Sequence, residues 1–316
     1  MKTLVSMTLA LLVVIPSVSL SDDTPKAVKP TDSKPTVYDE KADAKALIEN
    51  ALGAAKRENR RVLIQWGGNW CVWCVLLHEK CKTDKDLSKL LRYEYDVVYI
   101  DSKNQDLAEK YGADFKKHGV PFLTVLDADG KVLANQPTEP FETKVDGKNG
   151  HDAKKILEFL TTHQAAPLKA DAVLEAALAE ASKSERRVLL HFGAPWCGWC
   201  LRLDAWLARR DVNDTLRKDF VEVKIDMDRM PGAKEVLARF NAKGEGGIPW
   251  FVILDAKGKA IITSDSEKGN IGFPADEHEI AYFVKMLEAS KRKLTEADIA
   301  QLRKSLAPAP KAPPGK

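Results

Sequence analysis

The sequence predicts an α/β protein made of two tandem copies of one domain, each a central mixed β-sheet flanked by helices. Three observations predict it. A set of residues recurs at a nearly constant offset: Leu47, Ile48, Ala51, Leu52 and Ala55 return 126 positions later as Val173, Leu174, Ala177, Leu178 and Ala181. A Trp-Cys-x-Trp-Cys segment follows a short apolar run in both copies. Further on, Val120-Pro121 and Ile248-Pro249 each precede two strand-like runs separated by a Gly turn, at Asp129-Gly130 and Lys257-Gly258. The offset drifts only between 125 and 128, as small loop insertions in a duplicated domain would make it.

Each copy reads in the same order. The first conserved-offset set has apolar residues at i, i+1, i+4, i+5 and i+8, one face of an amphipathic helix. Residues 62–66 and 188–192 are apolar and bounded by Gly, which suits a buried strand. Helices are predicted over 71–80 and 197–209, and second strands over 97–100 and 221–225. Short helices follow at 107–111 and 235–240, then the proline-initiated hairpins, then closing helices at 153–162 and 277–290. The domains are drawn at 38–165 and 166–294.

The termini read differently. Residues 1–21 have a Lys2 start, an apolar run from Leu9 to Ile15 and small residues at Ser17, Ser19 and Ser21, the pattern of a signal peptide. The run is short for a membrane span. An exported protein, periplasmic or secreted, with no stable membrane insertion after cleavage, is the expectation. Residues 22–37 are polar and Pro-bearing, a flexible leader. Residues 295–316 are expected to give one more helix, to residue 306, with Thr295 and Asp298 at capping spacing, then a disordered Pro- and Lys-rich tail. The net charge of +3, with basic and acidic residues interleaved, gives nucleic acid nothing to recognise.

Five cysteines are too few for a disulfide scaffold in 316 residues, so their chemistry is the better clue. Cys71 and Cys197 stand where a strand ends and a helix begins. Unpaired backbone N–H groups there favour a thiolate, the form that attacks a disulfide. Cys74 and Cys200 follow one turn later, within reach of the first sulfur. Cys81 lies seven residues beyond Cys74, too far along a helix for a disulfide, and is expected to be a buried, inert thiol. His78, His118 and His151 have no partner at ligand spacing and are taken as surface or structural.

With these residues in place, both copies resemble the thioredoxin superfamily, through Trp70-Cys71-Val72-Trp73-Cys74 and Trp196-Cys197-Gly198-Trp199-Cys200 together with the steps at Val120-Pro121 and Ile248-Pro249. The resemblance runs from about residue 38 to 290. It implies a thiol–disulfide oxidoreductase catalysed by Cys71, Cys74, Cys197 and Cys200, without cofactor or metal. Its partners would be protein thiols and disulfides and an electron donor or acceptor. It also implies cis peptides before Pro121 and Pro249. Val120, Pro121, Ile248 and Pro249 would present backbone to an extended substrate, with Trp70, Trp73, Trp196 and Trp199 at the rim.

The chain departs from that family in two places. Thioredoxin keeps a buried Asp six residues before its first motif cysteine, where this chain has Gln65 and His191. Only His191 can take a proton there, so it is assigned a proton-shuttle role and the second domain is expected to be the faster reductase. Between the cysteines, Val72-Trp73 and Gly198-Trp199 match neither reductase nor isomerase usage, so no potential carries over. Reduction or isomerisation of exported proteins is preferred to oxidation. A non-catalytic binding or chaperone module, and a soft-metal (Cu or Zn) thiolate site, stand as alternatives. Each half is expected to fold and work alone if the chain is cut within 164–168.

Overall fold

The computed structural model describes residues 36–306, apart from 146, 242, 243 and 245. The expected signal peptide, all but the end of the leader, and the tail beyond residue 306 lie outside the described residues.

The first half runs α1 (Ala44–Glu58), β1 (Arg61–Gly67), α2 (Val72–Thr83), α3 (Lys85–Glu94), β2 (Tyr95–Asp101), α4 (Gln105–Lys110), α5 (Phe115–His118), β3 (Phe122–Leu126), β4 (Val132–Pro137), β5 (Glu142–Val145), β6 (Lys148–His151) and α6 (Ala153–His163). The second runs α7 (Ala170–Lys183), β7 (Arg187–Gly193), α8 (Gly198–Leu207), α9 (Arg210–Leu216), β8 (Phe220–Asp226), α10 (Ala233–Phe240), β9 (Trp250–Leu254), β10 (Ala260–Thr263), β11 (Asp265–Ser266), β12 (Gly269–Asn270), α11 (Glu277–Ser290) and α12 (Glu296–Leu306).

Each half holds a four-stranded mixed sheet, in the order β2-β1-β3-β4 and β8-β7-β9-β10. The motif strand pairs parallel with one neighbour and antiparallel with the other, β1 with β2 and β3, and β7 with β8 and β9. The small hairpins β5–β6 and β11–β12 were not foreseen, because two- to four-residue strands carry almost no periodic signal.

Strand alternation divides the core into two layers. Val62, Ile64 and Trp66 pack with α1 and α4, while Leu63 packs with Leu77, Leu87 and Leu160 from the helices on the other face. Gln65 and Gly67 share that second face with Leu63, beneath α2. In β7 the same alternation places His191 and Gly193 with Leu189, beneath α8. The last helix belongs to this core. Ile299, Leu302 and Leu306 are buried with Trp206 and Phe283, and Asp219 accepts the backbone N–H groups of Arg292, Lys293 and Leu294 at the turn into it.

The two halves lie in one compact unit and touch through charge. Arg229 donates to both carboxylate oxygens of Glu94, at 3.0 and 2.8 Å, and to the carbonyls of Glu58 and Asn59 at the end of α1. Lys224 reaches across to Glu58 at 2.7 Å.

Candidate active sites

The backbone leaves β1 at Gly67 and β7 at Gly193 and enters a helix five residues later, so the cysteine four residues on becomes the N-cap. Cys71 (φ −88°, ψ 108°) and Cys197 (φ −82°, ψ 105°) have the extended geometry of that position. Each Sγ accepts the N–H of the residue three on, Cys74 or Cys200, at 3.1 Å. Cys71–Cys74 and Cys197–Cys200 are closed as disulfides, with Cα atoms 5.3 and 5.2 Å apart. The two outer sulfurs each lie 3.5 Å from a carbonyl oxygen, that of Val120 or Ile248, and the peptides that follow, to Pro121 and Pro249, are cis.

The tryptophans divide by position. Trp70 and Trp196 are exposed, as is Trp199, while Trp73 is half-buried with its ring edge-to-face against His151. Trp199 stacks on Phe273 beside a cleft of about 410 Å³ that includes Ile248, Pro249 and Asn270. Cys74 and Cys200 are fully buried. Cys81 is partly buried, and burial with Asp84 nearby pushes its thiol up to about 12, which keeps it unreactive. His151 is buried with both ring nitrogens unpartnered, and burial, with Lys80 behind it, lowers its pKa to about 4.

His191 is buried beneath the second disulfide. Its Nε2 is 2.6 Å from Glu222 and its Nδ1 3.9 Å from Asp204. Neither nitrogen hydrogen-bonds a cysteine among the described residues. Asp204 in turn binds Lys224, 2.6 Å away. Burial pulls the Lys224 ammonium down, but Glu58 and Asp204 more than offset this and hold its pKa above the usual value. Burial raises the Asp204 carboxyl against the pull of His191 and Lys224. A Cβ placed at Gly193 would touch Cys200 Sγ at 3.4 Å and Cε of Lys224 at 3.6 Å, so the lysine stem lines the space beside the Cys200 sulfur.

Four of these groups were not foreseen from sequence. Asp204, on a helix, and Glu222 and Lys224, on a strand, belong to no motif. Asp228 accepts from the Trp196 indole at 2.8 Å and from Tyr93 of the first half at 2.9 Å, which ties the rim of the second site to α3. Their alignment signal was present but slight: the same positions in the first copy are uncharged or differently charged.

The described residues contain no group of three or more His, Cys, Asp or Glu side chains arranged to hold a metal, and no helix long and apolar enough to cross a membrane.

Comparisons with known proteins agree with this geometry. Residues 48–141 match a family described as a thioredoxin-like domain, and residues 169–256 a second described as thioredoxin-like. The chain is similar to protein disulfide-isomerase erp38 of Neurospora crassa, 25% identical over 203 residues that cover 62% of this chain and 51% of that one. It is also similar to the disulfide bond reductase DsbH of Chlamydia pneumoniae, 26% identical over 103 residues, 28% of this chain and 60% of the relative. The chain thus spans only about half to three-fifths of these relatives. Among solved structures, a disulphide isomerase from Xylella fastidiosa Temecula1 is 29% identical, with 41% of this chain and 98% of that one covered and a TM-score of 0.33.

Proposed function

This chain belongs to the thioredoxin-like superfamily in both of its halves, and on that premise we propose that it is a thiol–disulfide oxidoreductase that reduces or isomerises disulfides of exported proteins. The observation that carries the reading is the pair of N-cap sulfurs, Cys71 and Cys197. Each is held by a backbone N–H, beside the carbonyl that precedes a proline, and paired with a buried second sulfur.

In the reduced protein the Cys71 or Cys197 thiolate attacks one sulfur of a substrate disulfide. The S–S bond breaks, its electron pair leaves on the second substrate sulfur, and that sulfur takes a proton. The mixed disulfide is resolved when Cys74 or Cys200, as thiolate, attacks the outer cysteine. Its S–S bond to substrate breaks, the internal disulfide closes, and the proton given up by the resolving thiol ends on the released substrate sulfur. Two electrons have then passed from the protein to the substrate, and a donor must reopen the disulfide.

The helix N-terminus favours the attacking thiolate, because unpaired N–H groups and the dipole stabilise negative charge. Val120 and Ile248 offer backbone to an extended substrate strand, with Pro121 and Pro249 shaping the loop and Trp70, Trp73, Trp196 and Trp199 flanking it. In the second half, His191 is read as the proton acceptor for Cys200, acting through Asp204 and Lys224 rather than by direct contact. The names of the two relatives, an isomerase and a reductase, support the preference over an oxidant. The apolar, small-residue-ended segment within 1–21 supports export.

The test is insulin reduction with dithiothreitol, alongside reactivation of scrambled ribonuclease. Activity in either assay that vanishes in the variant with all four motif cysteines changed to Ser is the expected result. An inert wild-type protein would overturn the oxidoreductase reading in favour of a binding module or a thiolate metal site. Equilibration of each motif with glutathione separates the modes, since potentials near about −270 mV mark a reductant and near about −120 mV an oxidant.

A further inference from the structure

The first site lacks every charged group that lies behind the second. Aligned positions replace His191, Asp204, Glu222 and Lys224 by Gln65, His78, Val97 and Tyr99. The space beside the resolving sulfur is nevertheless filled. A Cβ at Gly67 would come within 2.7 Å of Cys74 Sγ and closer still to the hydroxyl of Tyr38. Hydroxyl and sulfur therefore both border the space that a side chain at residue 67 would fill.

Tyr38 comes from the segment before α1 and is completely buried against Cys71 and Cys74. Two devices hold it. Asn69, in the loop that leads to the motif, accepts the N–H groups of Val37 and Tyr38 at 2.9 and 3.0 Å and donates to the Tyr38 carbonyl at 2.8 Å. Gln65 donates its Nε2–H to the phenol oxygen at 2.9 Å and to the carbonyl of Cys74 at 3.1 Å. Because Gln65 donates, the phenol oxygen is the acceptor in that bond and its own proton is left over. Among the described residues no oxygen or nitrogen accepts that proton. Cys74 Sγ borders the same space as that hydroxyl.

We propose that Tyr38 is a catalytic residue of the first site, donating its O–H to the Cys74 sulfur as that sulfur ionises to resolve the mixed disulfide. A disulfide sulfur is a weak acceptor and a thiolate a strong one, so the bond is made when charge appears. A donor placed where charge develops favours the charged state over the neutral one. The groups facing this pocket are Gln65 on β1, Tyr99 and Asp101 on β2, and His78 on α2, whose ring meets Tyr99 at 5.0 Å. Tyr99 lies edge-on to Tyr38 at 6.0 Å. Burial, reinforced by Tyr99 and Asp101 against the Gln65 bond, keeps the Tyr38 phenol well above its usual pKa. It therefore serves as a donor that keeps its proton, and the proton released by Cys74 still ends on the departing substrate thiol.

The inference rests on exchange at Cys71–Cys74, but its readout is the titration of one thiol and needs no turnover. In full-length protein carrying Cys81→Ser, Cys197→Ser and Cys200→Ser, Cys71→Ser leaves Cys74 as the one thiol to be titrated by thiolate absorbance and by alkylation rate. Tyr38→Phe, which keeps the ring, is expected to raise the Cys74 pKa by about one unit, a tenfold loss of thiolate below it. With Cys71 restored, single-turnover resolution should slow about tenfold while the initial attack by Cys71 is unchanged. A fluorinated tyrosine at position 38, a stronger donor of the same shape, should move the Cys74 pKa the other way. If Tyr38→Phe leaves that pKa and the resolving step within about twofold, or the fluorinated residue shifts nothing, the hydroxyl is only packing and the proposal falls. Equal slowing of attack and resolution, or loss of folding with no shift from the fluorinated residue, overturns it as well.

Discussion

The two sites share a strand end, a Cys-x-x-Cys helix start and a proline loop, yet the supports beneath them are opposites. The first rests on neutral groups, Gln65, Tyr38 and Tyr99, held by hydrogen bonds within its own half. The second rests on a half-buried charge chain, His191, Glu222, Asp204 and Lys224, which ends on Glu58 of the first half. Its rim tryptophan is likewise tied across the boundary through Asp228 and Tyr93. Duplication thus preserved what the outer sulfur needs and let the surroundings of the inner sulfur diverge. One site is self-contained, and the other borrows part of its environment from its neighbour.

The sharpest way to test this is to silence one site at a time. Changing all four motif cysteines to Ser should cost at least about 100-fold in insulin reduction. Cys71→Ser/Cys74→Ser should leave the faster activity near pH 7 and Cys197→Ser/Cys200→Ser the slower, since only the second site has an ion-paired chain with a histidine at the position of His191 behind it. Equal rates would mean that the charge chain contributes nothing to turnover.

Next comes the boundary itself. Arg229→Ala would leave Glu94 with no cation at 2.8 Å and uncover two carbonyls, so a stability loss of about 3 kcal/mol is expected in urea unfolding. For the same reason a second half released by cutting within 164–168 should fold but melt lower than it does in the full chain, because Lys224 and Arg229 lose Glu58 and Glu94. A shift below about 0.5 kcal/mol would show that the halves are independent after all.

His191→Gln sharpens the comparison further, since it makes the second site resemble the first at that position. The rate of the second site at pH 7 should fall about tenfold, with the first site unaffected. An unchanged rate would reduce His191 to a core residue that pairs with Glu222.

The smallest effect concerns acid stability, in the first half. His151 has its pKa lowered by burial from 6.5 to about 4, so the unfolded chain binds the proton more readily than the folded one. Its contribution is intact above 6.5, fades as the pH falls toward 4 and is flat below that. His151→Phe should flatten this part of the melting-temperature profile for the first half and leave the second half unaltered.

What the sequence determined by itself is the part that depends on neighbours in the chain. A repeat at an offset of 126, an apolar run and a cysteine at a helix start are local patterns, and α11 and the two motif strands appear within a residue of where periodicity puts them. The N-cap geometry of Cys71 and Cys197 follows from the same local logic. What only the tertiary structure decided is the chemistry around the inner sulfurs. Tyr38 meets Gln65 across 27 residues and Lys224 meets Glu58 across 166, contacts that no periodicity encodes. Tyr38 stood at the edge of the predicted domain and carried no motif, and Lys224 belonged to none either. Folding brings these separate segments to two missing side chains, Gly67 and Gly193, so that the Tyr38 hydroxyl and the Lys224 stem border the same space as the inner sulfurs.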